Sequence, residues 1–403
     1  MNTDVMVVGA GPGGCILSYL LARSGIKTVL LEQHDSLDRE FRGYFFQPLV
    51  LKIFEQMGLL HDILKIEHNK VETFQFKDHG KTILTVRFDE LPKPYNYGLI
   101  MSQPLLLQFF IDRALKYDHF VYLNGTVARE FIQKEEKIKG LKVRQKNGNE
   151  LSIQGRLIVG ADGRYSTVRK LAGIEMEKEN QKFDFVWFDL PISKDKELPY
   201  QIQIEDEGML VSIPKGKNIV QIGWVIQKGT YPELRKKGIE DFRKLLIAIN
   251  PALENELTRH LHDFKQCSVL NVQVATANQW VKDRLMLIGD AAHTPSPFGG
   301  QGNSLAIQDA VVAHKTIMKA FEQNSFTYLT LRRYEGVRRP SVAKIQSLQR
   351  RQAQLLGIRH PLLSQLRRSI FPLYEKTPLY KMVRKQMTLG TQELKLETKY
   401  FLD

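Results

Sequence analysis

The sequence predicts an α/β fold with an inserted antiparallel-sheet domain and a helical C-terminal region. Buried strands run into glycine-rich turns near residues 9, 160 and 289, which is typical of a parallel sheet with helices on its faces. From residue 181, short runs of alternating apolar and polar residues indicate antiparallel strands. At 403 residues the chain exceeds the roughly 250 to 300 that one core usually fills, so about two domains are expected.

The first glycine-rich turn follows a buried strand that begins at Val5. Gly9, Gly11 and Gly14 have the spacing G-x-G-x-x-G, and a helix and a second strand ending in Glu32 follow them. Gly9 permits a tight turn, Gly11 lets the backbone approach a pyrophosphate, and Gly14 lets the helix pack on the strand. Glu32 stands at the usual distance of a ribose-binding acid. Together these features predict a Rossmann-like domain that binds an ADP-containing dinucleotide.

Helix and turn signals continue along the chain. Pro48 opens a helix that Gly58 closes, and Ser102-Gln103-Pro104 caps a second, strongly apolar helix. Asn147-Gly148 between two alternating runs predicts a two-residue hairpin. A strand that reaches Gly160 then leads back into the nucleotide-binding domain.

A second turn contains Asp162 and Gly163, with Ser166 as the N-cap of a short basic helix. The third turn joins a buried strand to Gly289 and Asp290. An aspartate there would repel a phosphate, so a ribityl or ribose hydroxyl is the better partner, although Gly-Asp alone also fits an ordinary Asx-capped turn. The glycines of residues 299–302 let the backbone approach a flat or anionic ligand at a helix N-terminus.

Alternating apolar and polar residues, separated by turn residues, predict further strands and helices along the chain. Strands are expected over residues 71–76, 82–88, 183–190, 200–204, 209–213 and 219–227. Helices are expected between residues 232 and 261, and past Arg332 two or three basic amphipathic helices broken near Pro361 and Pro372.

Taken in order, the three motifs resemble those of single-component flavin monooxygenases of the para-hydroxybenzoate hydroxylase family. They read G-x-G-x-x-G from Gly9, G-A-D-G-x-x-S-x-x-R from Gly160 and G-D-A-A-H-x-x-x-P-x-G-G-Q-G from Gly289. The resemblance covers residues 1 to about 330. It implies bound FAD, transient NAD(P)H, and hydroxylation by O₂, through a flavin hydroperoxide, of an apolar aromatic or polycyclic small molecule.

The resemblance also assigns roles to residues. It places a catalytic loop against the flavin ring, formed by Pro297, Gly300, Gln301 and Gly302. It implies cofactor contacts at Gly9, Gly11, Gly14, Glu32, Arg42, Gln103, Asp162, Gly163, Gly289, Asp290, Gly302 and Asn303. We expect the substrate pocket to include Tyr44, Phe46, Trp224 and Phe298. A surface role for Arg42 and a plain core role for Trp224 remain alternatives.

Two departures qualify the resemblance. Ser304 stands where relatives commonly carry Asn, which puts the flavin contact in doubt. Pro214 stands where benzoate hydroxylases place a carboxylate-binding Arg, so a mainly apolar substrate is expected. A separate NAD(P)H domain is missing, as in the family, and Arg164 and Arg169 are either NAD(P)H contacts or solvated helix-start residues.

Domain boundaries follow from these patterns. The FAD-binding domain is expected over residues 1–70, 99–180 and 275–330. The substrate domain is expected over residues 71–98 and 181–274, and a C-terminal basic helical region over residues 331–403.

Composition narrows the function classes. No apolar run reaches the roughly 18 residues of a membrane span, and no signal peptide precedes the strand at residues 5–10, so a cytoplasmic protein is expected. With only Cys15 and Cys267, no disulfide, metal cluster or thiol catalysis is expected.

The positive charge is concentrated at the C-terminus. Residues 311–403 contain 18 Lys and Arg against 6 Asp and Glu, +12 of the net +14. No nucleic-acid module accompanies them, and their helical spacing favours a solvated helix face. Weak peripheral contact with a membrane remains open.

Other functions stay open at this point. A flavin-dependent reductase of isoprenoid or other unsaturated substrates shares the nucleotide motifs. A flavin halogenase is disfavoured because no W-x-W-x-I-P occurs. A non-enzymatic nucleotide-binding or membrane-associating module is the alternative from another class.

Overall fold

The computed structural model describes residues 1–38, 44–216, 218–358 and 360–402. Arg42 lies outside the described residues. The strands, in chain order, are β1 Val5–Val8, β2 Thr28–Leu31, β3 Phe45–Phe46, β4 His68–Val71, β5 Thr73–Asp78, β6 Lys81–Arg87, β7 Gly98–Met101, β8 Phe120–Leu123, β9 Thr126–Lys134, β10 Lys137–Gln145, β11 Glu150–Gln154, β12 Leu157–Gly160, β13 Met176–Glu179, β14 Phe183–Pro191, β15 Gln201–Glu205, β16 Gly208–Gly216, β17 Ile219–Gln227, β18 Ser268–Leu270, β19 Val274–Ala277, β20 Val281–Lys282, β21 Leu285–Leu287 and β22 His293–Thr294.

The α-helices, in chain order, are α1 Pro12–Arg23, α2 Pro48–Gln56, α3 Leu60–Ile63, α4 Gln103–Ala114, α5 Thr167–Leu171, α6 Tyr231–Lys237, α7 Ile239–Ile249, α8 Glu254–His260, α9 Gly302–Glu322, α10 Tyr328–Leu356, α11 Pro361–Glu375 and α12 Pro378–Leu389.

A six-stranded sheet confirms the predicted Rossmann-like fold. Its strand order is β20-β21-β12-β1-β2-β8, with β21, β12, β1, β2 and β8 parallel and β20 antiparallel at the edge. Helix α1 lies against β1 and β2 and packs against both α4 and α9. Strands β1, β2 and β12 are entirely buried, which explains their mostly apolar sequences. The chain leaves β1 and β12 at neighbouring carboxyl ends, where ligands bind in sheets of this kind.

A seven-stranded sheet forms the second layer, in the order β18-β14-β17-β16-β15-β5-β6. All neighbouring strands are antiparallel except β15 and β5, which run parallel. The antiparallel pairing expected for the strands within residues 183–227 is confirmed, and the hairpin of β5 and β6 joins this sheet through one parallel ladder. The reason is that β5 comes from a separate hairpin much earlier in the chain and not from a hairpin with β15.

The two faces of this sheet carry different clusters. On the outer face, Trp224 lies opposite Val186 and packs against Phe242 of α7. On the inner face, Phe185 and Trp187 pack together with Phe298. Because successive side chains of a strand point to opposite faces, the register of β14 with β17 decides which aromatic residues face the rest of the protein.

The C-terminal helices differ from the prediction at one break. Helix α11 begins at Pro361, as expected, but it continues through Pro372 and ends at Glu375. The lost hydrogen bond at Pro372 is tolerated because Phe371 packs on the inner-face cluster and buried Arg367 binds Asp78 of β5. The break falls instead at Thr377, whose side chain accepts a hydrogen bond from the Tyr380 N–H and caps α12.

The basic C-terminal residues are not all solvated, which corrects the expectation of a solvated helix face. Three arginines are buried and paired with acids of earlier segments: Arg338 with Asp309, Arg367 with Asp78 and Arg384 with Glu90. These pairs attach α10, α11 and α12 to the rest of the protein. Among the described residues, no helix combines the length and apolarity needed to cross a membrane.

Candidate active site

The glycine-rich turn after β1 packs backbone against backbone. A Cβ on Gly9, which has φ of +105°, would lie 2.4 Å from the Ala161 carbonyl oxygen. A Cβ on Gly14 would lie 1.9 Å from the Gly9 carbonyl oxygen, so only glycine lets α1 approach β1 this closely. At Gly11 no atom lies within 4 Å of the added Cβ, which leaves that side open for a ligand.

Glu32 joins this turn from the end of β2. Its carboxylate is buried and accepts hydrogen bonds from the Ala10 N–H at 2.9 Å and the His34 N–H at 3.1 Å. The open side at Gly11, the N-terminus of α1 and this acid fit the pyrophosphate and ribose of a dinucleotide.

The turn after β12 is held together by Asp162. The Asp162 carboxylate accepts from the Ser166 hydroxyl and from the Val168 N–H at 3.0 Å. Burial raises the pKa of Asp162, although these hydrogen bonds oppose the shift. The side chain therefore orders the start of α5, while its Cα lies against Gly9.

The turn after β21 carries two aspartates with different surroundings. Asp290 is half-buried and accepts from Arg164 Nε at 3.1 Å. Asp309 of α9 is fully buried and accepts from the Gly289 N–H at 2.8 Å, His293 Nε2 at 2.6 Å and Arg338 Nε at 2.7 Å. Burial raises the pKa of Asp309, but the charges of His293 and Arg338 outweigh burial and lower it to about 2.

The sequence did not reveal this second network. The motif contains His293 but does not indicate its partner. Arg338 lies 29 residues beyond Asp309, in a helix whose spacing predicts a solvated face. The one available signal was an acid at position 309 in an otherwise apolar helical pattern.

The three turns meet at one place, which we call the cofactor cradle: the turns at residues 9–14, 160–166 and 289–291. Arg169 is buried and donates to the carbonyl oxygens of Ala291 at 2.9 Å and Arg164 at 2.8 Å. Arg169 therefore ties two turns together and is not a solvated helix-start residue. Arg164 joins the same two turns through its ion pair with Asp290.

The loop before α9 closes the cradle. Gly299 and Gly300 have φ of +75° and +60°, and the Gly300 N–H donates to the Pro297 carbonyl oxygen at 3.1 Å. The first N–H groups of α9, from Gly302 onward, have no partner within the helix, as at any helix start. Gln301 is buried and its amide donates to the Met387 carbonyl oxygen of α12 at 2.8 Å, so its side chain holds the loop from behind.

Three polar side chains surround that loop. Gln103 donates to Asn303 at 2.8 Å, which brings together two predicted cofactor contacts 200 residues apart. The hydroxyl of buried Ser304 accepts from the Gln47 N–H at 3.3 Å. Ser304 thus fixes the start of α2.

Gln47 is a residue that the sequence analysis missed. Its amide Nε2 donates to the Gly299 carbonyl oxygen at 2.6 Å, while Oε1 is buried with no hydrogen-bond partner among the described residues. A buried acceptor of this kind is costly unless a ligand satisfies it. The only signal was a polar residue immediately before Pro48 in an aromatic stretch.

The predicted pocket residues separate into two groups. Phe298 lies on the inner face against Phe183 and Phe185, at ring-centroid distances of 5.2 and 5.9 Å. Trp187 stacks on Phe185 at 5.3 Å, so the inner-face tryptophan is Trp187. Trp224 was expected in the pocket, and this is wrong because it lies on the outer face under α7.

Phe46 requires a similar correction. It is fully buried in the main core, whereas its neighbour Phe45 lies against Gly300, 3.0 Å from the position of an added Cβ. Alternation along the two-residue strand β3 explains the difference. Tyr44 is half-buried with Lys215 Nζ 3.9 Å from its ring centroid.

A cavity of about 570 Å³ adjoins Phe298 between the inner face and α10. Its apolar wall contains Phe183, Met209 and Val225, and α10 contributes Gln346 and Arg350. The cavity therefore combines apolar side chains with polar and charged ones, among them Glu179 and Lys182, and it has room for a small organic molecule. Among the described residues, no cluster of His, Cys, Asp and Glu could hold a metal ion.

Comparisons with known proteins agree with this geometry. Residues 2–348 match the family described as FAD binding domain. 6-Methylpretetramide 4-monooxygenase from Streptomyces rimosus is 31% identical over 401 residues, 99% of this chain and 95% of that protein. The solved structure of OxyS anhydrotetracycline hydroxylase from Streptomyces rimosus has a TM-score of 0.79 at 22% identity, and the match covers 98% of this chain and 77% of that chain. Digeranylgeranylglycerophospholipid reductase from Methanococcus vannielii is more distant, at 25% identity over 338 residues, 82% of this chain and 81% of that protein.

Proposed function

Since the chain belongs to the family of FAD-binding domains, we propose that this FAD-dependent monooxygenase hydroxylates an apolar polycyclic aromatic compound, with NAD(P)H as reductant and O₂ as oxidant. Family membership and the 31% identical monooxygenase confirm the predicted cofactor and enzyme class. The reductase alternative has only a more distant relative. The substrate class is the proposal, and the inner-face aromatic cluster beside the cavity is the observation that carries it.

The cradle residues would bind and orient FAD. The turn at Gly9, Gly11 and Gly14 would hold the pyrophosphate, Glu32 the ribose, and Asp290 a ribityl hydroxyl. Arg164, already paired with Asp290, would limit that carboxylate to one orientation. Bound FAD supplies the redox chemistry, accepting a hydride from NAD(P)H and activating O₂.

The loop at residues 297–303 would orient the reacting end. The α9 N-terminus presents its first backbone N–H groups and a positive dipole, which would stabilise negative charge beside it. Gln301 and Gln47 fix the loop from two sides through Met387 and Gly299. Such fixed donors need no rearrangement when charge develops.

The inner face would receive the substrate and exclude water. Phe183 and Phe298 line the cavity, with Phe185 and Trp187 packed behind them, and the cavity has room for a multi-ring molecule. Pro214 in place of a carboxylate-binding Arg supports an uncharged substrate. We also propose that the enzyme acts in the cytoplasm, where NAD(P)H is available and where the thiols of Cys15 and Cys267 would stay reduced.

A substrate screen tests this proposal. The FAD-loaded protein is mixed with uncharged polycyclic phenols, and NAD(P)H consumption and hydrogen peroxide are followed together. We expect polycyclic compounds to stimulate consumption with little peroxide, and simple hydroxybenzoates to be poor stimulators. Preference for hydroxybenzoates would contradict the substrate class, and consumption that persists without O₂ would favour a reductase.

A further inference from the structure

We propose that helices α11 and α12 form a docking surface for an anionic lipid membrane. Seven large apolar side chains within 21 residues have exposed fractions between 47% and 71%. We call them the apolar strip: Leu362, Leu363, Leu366, Ile370, Leu373, Leu379 and Met382. Monomeric proteins rarely expose so many apolar side chains together, so the strip indicates a binding surface.

The strip follows helical geometry. Leu362, Leu366, Ile370 and Leu373 are spaced four, four and three residues apart, which places them along one side of α11. The opposite side is used inside the protein, where Arg367 binds Asp78 at 2.7 Å and Phe371 packs on the inner-face cluster. Helix α11 is therefore held firmly with its apolar side outward.

The charged residues around the apolar strip indicate which kind of partner it binds. Lys376, Lys381 and Lys385 are exposed on α12 and the turn before it. The sequence has one acid between residues 351 and 390, Glu375, which accepts from the Thr85 N–H at 3.0 Å. Glu90, the exposed acid beside α12, is already paired with Arg384. Apolar side chains flanked by exposed lysines suit the surface of an anionic bilayer, where each lysine contributes to binding.

A second copy of the chain fits this surface poorly. A two-fold dimer places the same patch against itself, so the exposed lysines of one copy would face those of the other. Crossing of the bilayer is not implied, because no helix among the described residues is apolar and long enough. The surface would lie on the membrane.

Docking would connect the membrane with the active site. Helix α12 carries both Met382 of the apolar strip and Met387, whose carbonyl accepts from Gln301 of the active-site loop at 2.8 Å. If the substrate is an apolar polycyclic compound, as proposed above, it would accumulate in the same bilayer. Vesicle binding needs no substrate, so this inference can fail or hold independently of the proposed function.

Co-sedimentation of the full-length, FAD-loaded protein with vesicles tests the docking surface. We expect binding to vesicles of equal parts phosphatidylglycerol and phosphatidylcholine, weak binding to phosphatidylcholine alone, and release by salt. The double variant Leu366→Glu, Leu373→Glu should weaken binding at least about tenfold. The double variant Lys381→Gln, Lys385→Gln should weaken it about fivefold per lysine.

Matched controls separate the surface from general effects. Leu329→Glu on α10 changes an equally exposed leucine outside the strip, and Lys134→Gln, Lys137→Gln removes exposed lysines from the β9–β10 hairpin. All variants should keep the melting temperature and flavin absorbance of the parent protein. Absence of vesicle binding at low salt, equal binding to neutral vesicles, or equal loss in the control variants would overturn the proposal. The proposal would also be overturned if the parent protein formed a dimer in solution, did not bind vesicles, and became monomeric in the Leu366→Glu variant.

Discussion

The cofactor cradle and the inner face of the seven-stranded sheet are built by different means. In the cradle, backbone atoms and buried charges fix the geometry, as in the contact of Gly14 with Gly9 and the network around Asp309. On the inner face, aromatic rings pack against one another with few polar contacts. Substitutions in the cradle should therefore lower the stability of the protein or its FAD content. Substitutions on the inner face should instead change the KM for substrate.

The largest effect is expected from Gly14→Ala. Its Cβ would lie 1.9 Å from a backbone oxygen, which cannot move without separating α1 from β1. We expect the free energy of unfolding to fall by about 3 kcal/mol or more, with loss of bound FAD. Thermal melting and flavin absorbance measure both quantities.

Gly11→Ala is the matched control for this change. Its Cβ meets no atom within 4 Å and φ is −78°, so stability should change by less than about 0.5 kcal/mol. FAD should nevertheless bind more weakly, because the methyl group enters the open side of the turn. Equal melting losses in the two variants would show that the cradle does not depend on close backbone packing.

Asp309→Asn should have the next largest effect, because it leaves Arg338 and His293 buried without their charge partner. We expect the free energy of unfolding to fall by about 3 to 5 kcal/mol. Asp290→Asn, on a half-exposed carboxylate, should cost less than about 1 kcal/mol yet release FAD more readily from the folded protein. Similar losses of stability in the two variants would contradict the assignment of a structural role to Asp309 and a cofactor-binding role to Asp290.

The same contrast can be measured by pH. Because the pKa of Asp309 is lowered from 3.8 to about 2, its ionised form stabilises the fold fully above pH about 4. That stabilisation should disappear as the pH falls from about 4 to about 2. Asp309→Asn should lack this part of the acid unfolding curve, whereas an unchanged curve would contradict the assigned charge network.

A smaller effect tests the two faces of the sheet. Trp224→Leu should lower stability by about 2 to 3 kcal/mol and leave the KM for substrate unchanged, because it lies on the outer face. Trp187→Leu should raise that KM about tenfold, since it removes the ring that stacks on Phe185 behind the cavity-lining Phe183 and Phe298. Steady-state kinetics on both variants would contradict the assignment if the Trp224 variant alone lost affinity for substrate.

Gln47→Met should have the smallest effect on stability. It removes a hydrogen bond to Gly299 while nearly keeping side-chain volume, which costs about 1 kcal/mol. Because the loop is then less firmly held, we expect more hydrogen peroxide per NAD(P)H consumed at unchanged FAD content. Gln301→Met, which releases the same loop from α12, provides the parallel variant, and an unchanged peroxide yield in both would show that neither amide positions the loop.

The cradle could be predicted from the sequence because its constraints are local. Gly9, Gly14 and Asp290 stand in short motifs whose backbone requirements leave few alternatives. Which aromatic side chains lie on the inner face depends on strand register. The sequence pattern therefore does not distinguish Trp187 from Trp224. The partners of Asp309 come from distant segments, and an arginine such as Arg338 has the same helical spacing whether it is solvated or buried.

A single turnover under labelled O₂ tests the central claim most directly. The FAD-loaded enzyme is reduced with one equivalent of NAD(P)H, mixed with the best polycyclic substrate and exposed to ¹⁸O₂, and the product mass is measured. The account predicts one labelled oxygen atom in each product molecule. An unlabelled product formed equally well without O₂, or labelled oxygen found only in hydrogen peroxide, would contradict it.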